Sequence, residues 1–217
     1  MPNLIERRHE QTRAAIAEVA VALFTARGFA ETTMEDVAEA AGVSRRTAYR
    51  HFPSKDDLVF EHPRRWLEHF NDHAADPQPG ENLRDLCRRG LLAVGQHIQA
   101  HASAIVAAYA VMLTSPTLRG RNGRTEDEWF ARYIQLLTPA QPLDAARSLQ
   151  IAVVAGALVG TTKMLVAVWA TSQPGADIGA MTRAVLDQLD PIWPDWLART
   201  PAPRVSGSPD ATGTVRS

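Results

Sequence analysis

Apolar residues recur at helical spacing along almost the whole chain, and that period restricts it to an all-α fold. Ile16, Val19, Ala20, Leu23 and Phe24 stand at i, i+3, i+4, i+7 and i+8, one stripe on a first helix over about residues 10–26. Gly28 suits its C-terminal cap. Thr32 and Thr33 precede Glu35 and Asp36 in capping-box order, so a second helix starts there and Gly42 stops it. Ser44 caps a third helix from Arg45 to about His51. Pro53-Ser54 ends it and opens a fourth, whose Asp56 and Asp57 favour the positive end of the helix dipole. Pro63 inside that fourth helix removes a backbone hydrogen bond and is expected to kink it. Further segments of helical period lie near 81–100, 102–113, 124–137, 143–170 and 177–190. Breaks separate them at Asp76–Gly80, Ser115-Pro116, Gly120 to Gly123, Thr138 to Pro142 and Gln173–Gly175. No run alternates as a strand does.

The chain has 217 residues, 45% of them apolar, enough to form a core. Its net charge of −1 argues against a protein that coats polyanions generally, so any nucleic-acid contact must come from local charge. A single cysteine, Cys87, permits no internal disulfide and fits a reducing, cytoplasmic compartment. The N-terminal stretch lacks the apolar core of a signal peptide. Leu149 to Ala170 has the length of a membrane span, but Gln150, Thr161, Thr162 and Lys163 interrupt it, and it reads as a core helix. Residues 198–217, rich in Pro, Ser, Gly and Thr, read as a disordered tail.

One segment breaks the near-neutral balance. VSRRTAYRHFPSK, residues 43–55, holds Arg45, Arg46, Arg50, His51 and Lys55 with no acid between them. The second and third helices, joined by a turn at Gly42, form a helix-turn-helix pattern. Val37, Ala38, Ala41, Val43, Ala48 and Phe52 can face inward, which leaves Ser44, Arg45, Arg46, Thr47, Tyr49 and Arg50 outward. A helix entering the major groove needs a positive face, because phosphates supply most of the affinity. Arginine is the commonest reader of guanine.

At these residues FAETTMEDVAEAAGVSRRTAYRHFPSKDDL resembles the N-terminal signature of the TetR family of bacterial transcriptional regulators, without gaps from about Ala14 to Leu58. The resemblance implies a three-helix DNA-binding domain (residues 1–55) and a helical effector-binding and dimerisation domain (56–197). It implies a homodimeric repressor that leaves a palindromic duplex operator when a small hydrophobic molecule binds; it implies no enzyme activity and no cofactor. It carries a phosphate contact to Thr33, the recognition face to Ser44, Arg45, Arg46 and Thr47, and backbone contacts to Tyr49, His51 and Lys55; Arg50 joins them by charge. Arg46 stands where a small residue is frequent in the family, and Ala48 where a larger apolar one is.

Two further readings come from the remaining residues. His69/His73 and His97/His101 are i, i+4 pairs, with His62 seven before His69. Such pairs can hold a transition metal, which makes a metal-sensing regulator the alternative; without a cysteine cluster or convergent carboxylates they read as packed or solvated, with no metal. A helical enzyme is a further alternative, but no Ser-His-Asp order or phosphate-binding loop supports it. Candidate effector-pocket residues are Trp66, Phe70, Gln96, Tyr109, Met112, Trp129, Tyr133, Val154 and Leu158. The candidate dimer seam, on the helices near 143–170 and 177–190, comprises Gly156, Gly160, Thr162, Leu165, Val166, Trp169, Met181, Val185 and Leu189.

Overall fold

The computed structural model describes residues 4–139 and 143–203. Among them there is no named strand, and the elements are helical: α1 (Leu4–Arg27), α2 (Met34–Ala40), α3 (Arg45–His51), α4 (Lys55–Val59), α5 (Glu61–Ala75), α6 (Leu83–Ala100), α7 (Ala102–Thr114), α8 (Pro116–Leu137), α9 (Ala145–Ser172), α10 (Ile178–Leu189), a 3₁₀ turn (Asp190–Ile192) and α11 (Asp195–Arg199).

The head forms where local chemistry dictates. Gly28 and Gly42 end α1 and α2 at φ 96° and 66°, left-handed values that disfavour a side chain. Thr33 Oγ1 accepts from Asp36 N at 3.1 Å while the Asp36 carboxylate accepts from Thr33 N at 2.8 Å, a closed capping box. Ile16, Ala20, Phe24, Val37, Ala38, Ala48 and Phe52 bury themselves between α1, α2 and α3. That core does not stop at the head: Val111 and Met112 of α7 and Leu118 of α8 belong to the same cluster. A second core, built from α5 to α11, includes Phe70, Leu86, Ile105, Tyr133, Ile151 and Trp169.

Three expectations about elements are corrected. The fourth helix is two helices, broken at Phe60 (φ −95°, ψ 11°). Pro63 explains the break: it offers no N–H to the Val59 carbonyl and its ring crowds that group. It therefore lies in the first turn of α5, where a missing N–H costs nothing. Gly120 and Gly123 do not interrupt the chain but lie inside α8, which starts early on its Ser115 cap and Pro116. Residues 198–203, expected to open the disordered tail, are held: α11 runs to Arg199, Leu83 N donates to Thr200 O at 2.9 Å, and Ala202 N donates to Glu81 O at 2.9 Å. The remainder of the expected tail, residues 204–217, lies outside the described residues.

Helix α9 is long and apolar enough to cross a membrane by length and composition. Here one face packs on α7, α8 and α10, and the other carries an open apolar stripe, with Leu149 65% and Val153 62% exposed and Met164 and Val168 following.

Two glycines give opposite expectations. A methyl at Gly90 would stand 2.6 and 2.7 Å from ring carbons of the buried Phe70, whereas one at Gly120 would meet nothing within 4 Å. In urea unfolding followed by circular dichroism, Gly90→Ala should cost about 1–3 kcal/mol. Gly120→Ala, on an open helix position, should gain about 0.5–1 kcal/mol.

Candidate nucleic-acid interface and ligand cavity

The Ser44 hydroxyl accepts from Thr47 N at 3.1 Å and so starts α3. Ala48 and Phe52, both fully buried, fix the inner side of the helix. Ser44, Arg45, Arg46, Tyr49 and Arg50 are exposed, Thr47 is half-buried with its hydroxyl 2.9 Å from that of Ser44, and Thr33 is the exposed cap of α2. Arg45 pairs with Glu35 of α2; Arg46 and Arg50 make no ion pair among the described residues.

Two residues of the expected contact set are corrected. His51 is only 3% exposed; its ring centroid lies 4.2 Å from that of His9, and its carbonyl accepts from Arg13. Burial, then the neighbouring His9, Arg50 and Arg13, lower its proton affinity, and the ring presents no open surface. Lys55 turns its ammonium back onto the loop after α1, donating to Phe29 O at 2.6 Å, Thr32 O at 3.0 Å and Ala30 O at 3.4 Å, with Nζ 4.3 Å from the centre of the Phe29 ring. Its three donors are used inside the head, which leaves none for a phosphate.

Head meets body through charge. Glu61, 1% exposed, accepts from Arg13 Nε of α1 at 2.7 Å, from Arg64 at 3.0 and 3.2 Å and from Arg65 at 2.9 Å. Burial would raise its pKa, but Arg64 and Arg13 outweigh burial and hold it below the usual carboxylate value. Arg121 of α8 pairs with Asp57 of α4, donates to Ser54 Oγ at 3.3 Å and lies 5.3 Å over the Phe60 ring. Asp57 is in turn the capping-box carboxylate of α4. Burial again opposes its charge, and Ser54 and Arg121 again prevail.

Behind this junction lies a cavity of about 100 Å³. Val59 and Phe60 of the α4–α5 break, Trp66 of α5, Tyr109 and Met112 of α7 and Trp129 of α8 are in its wall. Of the expected pocket residues, Trp66, Tyr109, Met112 and Trp129 thus come together. Phe70, Tyr133, Val154 and Leu158 do not line it, because they fill the core behind it, and Gln96 lies in a separate surface cleft beside Arg88 and Arg89. Sequence reasoning missed Glu126 and Lys163, which line the cavity and pair at 2.9 Å, with Asn122 Nδ2 donating to Glu126 at 2.8 Å. Lys163 had a signal: it is the one charge in the apolar run of α9.

The expected dimer seam divides. Gly156 and Gly160 are exposed, and Leu165, Met181, Val185 and Leu189 are half-buried. Thr162, Val166 and Trp169 are corrected: Thr162 and Val166 line the cavity, and Trp169 is fully buried in its own subunit, its Nε1 donating to Ala176 O at 2.9 Å. Leu149, Val153, Met164 and Val168 make up the open face that was missed.

The histidine pairs interleave rather than stand apart. Ring centroids are 4.4 Å apart for His69–His97 and His97–His101, and 5.6 Å for His62–His101. His73 and His101 bond through Nδ1 to the carbonyls of His69 and His97 at 2.8 and 2.9 Å. Among the described residues no three His, Cys, Asp or Glu side chains are grouped to hold a metal ion. Burial pushes His62 down to about 4 and His97 to about 3. Buried Cys87 is pushed up to about 12, which makes it a poor thiolate.

Residues 16–61 match the family model described as bacterial regulatory proteins, tetR family. The chain is 31% identical over 122 residues to the putative mycofactocin biosynthesis transcriptional regulator MftR of Mycobacterium tuberculosis, covering 53% of this chain and 58% of that one. It is 41% identical over 85 residues to the HTH-type regulator TtgR of Pseudomonas putida, covering 38% and 40%. The matches thus span little more than half of these relatives' length at most. Among solved structures, SmeT in complex with triclosan superposes with a TM-score of 0.60 at 15% identity, over 92% of this chain and 100% of that one. FadR from Bacillus subtilis in complex with stearoyl-CoA gives 0.56 at 17%, over 81% and 96%. These likenesses extend over the body as well as the head and show a shared fold. The N-terminal segment thus carries the signature of the TetR family, and the rest of the chain shares the fold of these solved structures.

Two measurements check this geometry. Lys55→Met should lower stability by about 1–3 kcal/mol in denaturant, since it strips the donors from three carbonyls. The salt dependence of any DNA binding should stay unchanged, whereas loss of a phosphate contact would reduce it. For the histidines the folded pKa values lie below the ordinary 6.5, so the unfolded chain binds more protons from about 6.5 down to about 4 at His62 and about 3 at His97. Stability should therefore fall as pH is lowered through that window, and His97→Asn should flatten the fall.

Proposed function

We propose that the protein is a transcriptional regulator, acting as a repressor: a homodimer that docks α3 of each copy into the major groove of a near-palindromic duplex and leaves it when a small, mainly apolar effector fills the cavity. The observation that carries this reading is the exposed Arg45, Arg46, Tyr49 and Arg50 on a helix whose opposite side is locked by Ala48 and Phe52. The names of the relatives, all regulators, add support, as do triclosan and stearoyl-CoA bound to two proteins of this fold. We divide the chain as expected from the sequence, with the head up to Lys55 and the body from Asp56; the core cluster shared with α7 and α8 couples the two.

Release follows from the cavity wall. Val59 and Phe60 form the α4–α5 break, so an effector pressing there acts on the joint between head and body. A differential affinity of about 1–3 kcal/mol between the two head positions would suffice for regulation.

The dimer uses the open stripe of α9, with Gly156 and Gly160 allowing close approach and Met181, Val185 and Leu189 of α10 at its margin. A two-fold pairing of such a stripe hides apolar surface that a monomer would leave in water.

With a duplex selected from a random pool, Arg46→Ala should weaken binding by about 1–3 kcal/mol and relax specificity at one position. Fluorescence anisotropy reads this, and wild-type affinity in both Arg45→Ala and Arg46→Ala would remove α3 from the groove. Val153→Asp should yield a folded monomer in sedimentation; an unchanged dimer would move the interface elsewhere.

A further inference from the structure

A second concavity, of about 230 Å³, opens where head meets body. Arg13, Arg64, Arg121 and Arg124 line it together with Asp57 and Glu128, so four guanidinium groups face two carboxylates. It adjoins the apolar cavity: Phe60 and Thr125 stand in the walls of both. The guanidinium groups are not equally committed. Arg13 and Arg64 are held on buried Glu61, and Arg121 on Asp57, whereas Arg124 is exposed and makes no ion pair among the described residues. At the cavity itself the Glu126–Lys163 pair is self-neutralised, with Asn122 completing it, and offers no net charge to select a ligand.

We propose that the effector is an anionic amphiphile, with its apolar body in the cavity and its carboxylate or phosphate head in the arginine cleft beyond Phe60 and Thr125. This rests on the reading of the cavity as the effector site. The guanidinium fork matches the oxygens of carboxylate and phosphate alike, and Arg124 has its donors free to meet them. The apolar end is short: a cavity of roughly 150 Å³ holds benzene, and this one is smaller. Position gives the head group its effect. An anion in the cleft competes with Asp57 for Arg121, and Asp57 is the carboxylate that caps α4. Binding the head group and loosening the tie between α8 and α4 are then one event. A neutral ligand fills the cavity without touching that tie, and a cationic one meets the arginines.

The test is calorimetric titration of the full chain with butanoate, butyl phosphate, 1-butanol and butylamine, whose four-carbon chains suit so small a cavity. Butanoate or butyl phosphate should bind at least about tenfold tighter than 1-butanol, as a charge-assisted pair requires. The tighter of the two identifies the head group as carboxylate or phosphate. Arg124→Gln should erase most of that advantage and leave 1-butanol unchanged. Equal affinity for 1-butanol, tighter binding of butylamine, or an anion affinity indifferent to Arg124→Gln overturns the proposal while the cavity stands as effector site. Binding of none of the four overturns both, with duplex binding as the separate measure of the regulator reading.

Discussion

A carboxylate buried among three arginines holds the head to the body. An isolated charge as deep as Glu61 would be strongly unfavourable, and it persists only because Arg13, Arg64 and Arg65 supply the hydrogen bonds that water would have made. Arg13 is the reach across: it rises from α1, lies 4.2 Å over the Phe52 ring at the end of α3, and donates to the His51 carbonyl there. The terminus of the helix that displays the cationic face is therefore tied through one guanidinium to the first residue of α5. A displacement of α5 is carried to α3 through hydrogen bonds rather than lost in a loose linker.

The second tie runs by another route. Arg121 leaves α8 one residue before Asn122, which lines the cavity, and ends on the capping box of α4. The cavity thus touches the head on two sides, through the broken α4–α5 segment and through α8. Their common element is Phe60, which forms the break, lies in the cavity wall and carries the Arg121 cation on its ring. The core reinforces this, because Val111, Met112 and Leu118 of the body pack in the cluster that supports α3.

The head was legible because its determinants are local. Thr33 with Asp36, Gly42, Ser44 with Thr47 and Ser54 with Asp57 each set a helix end within a few residues. What local pattern cannot supply is direction. Lys55 has the composition of a surface residue, yet its side chain caps a loop 23 to 26 residues away in sequence. His51 follows the exposed Tyr49 and Arg50 and then turns inward beside Phe52. Pro63 signalled a disturbance, but the break falls at Phe60, one residue after the Val59 carbonyl that the proline leaves without a donor. In α9 apolar residues occupy both faces, so periodicity could not tell the side that packs at home, with Val166 and Trp169, from the side left open at Val153 and Met164. The histidine pairs were visible in sequence, but their interleaving across α5 and α6 depends on packing between helices.

The central claim is that a small local patch of arginines, on a protein of net charge −1, reads duplex DNA. Its most direct measurement is the affinity of the full chain for duplex DNA between ~50 and ~200 mM salt. The account predicts that log affinity falls linearly with log salt, with a slope that Arg50→Ala reduces by about one. Affinity that is absent at low salt, or present and indifferent to salt, would contradict it.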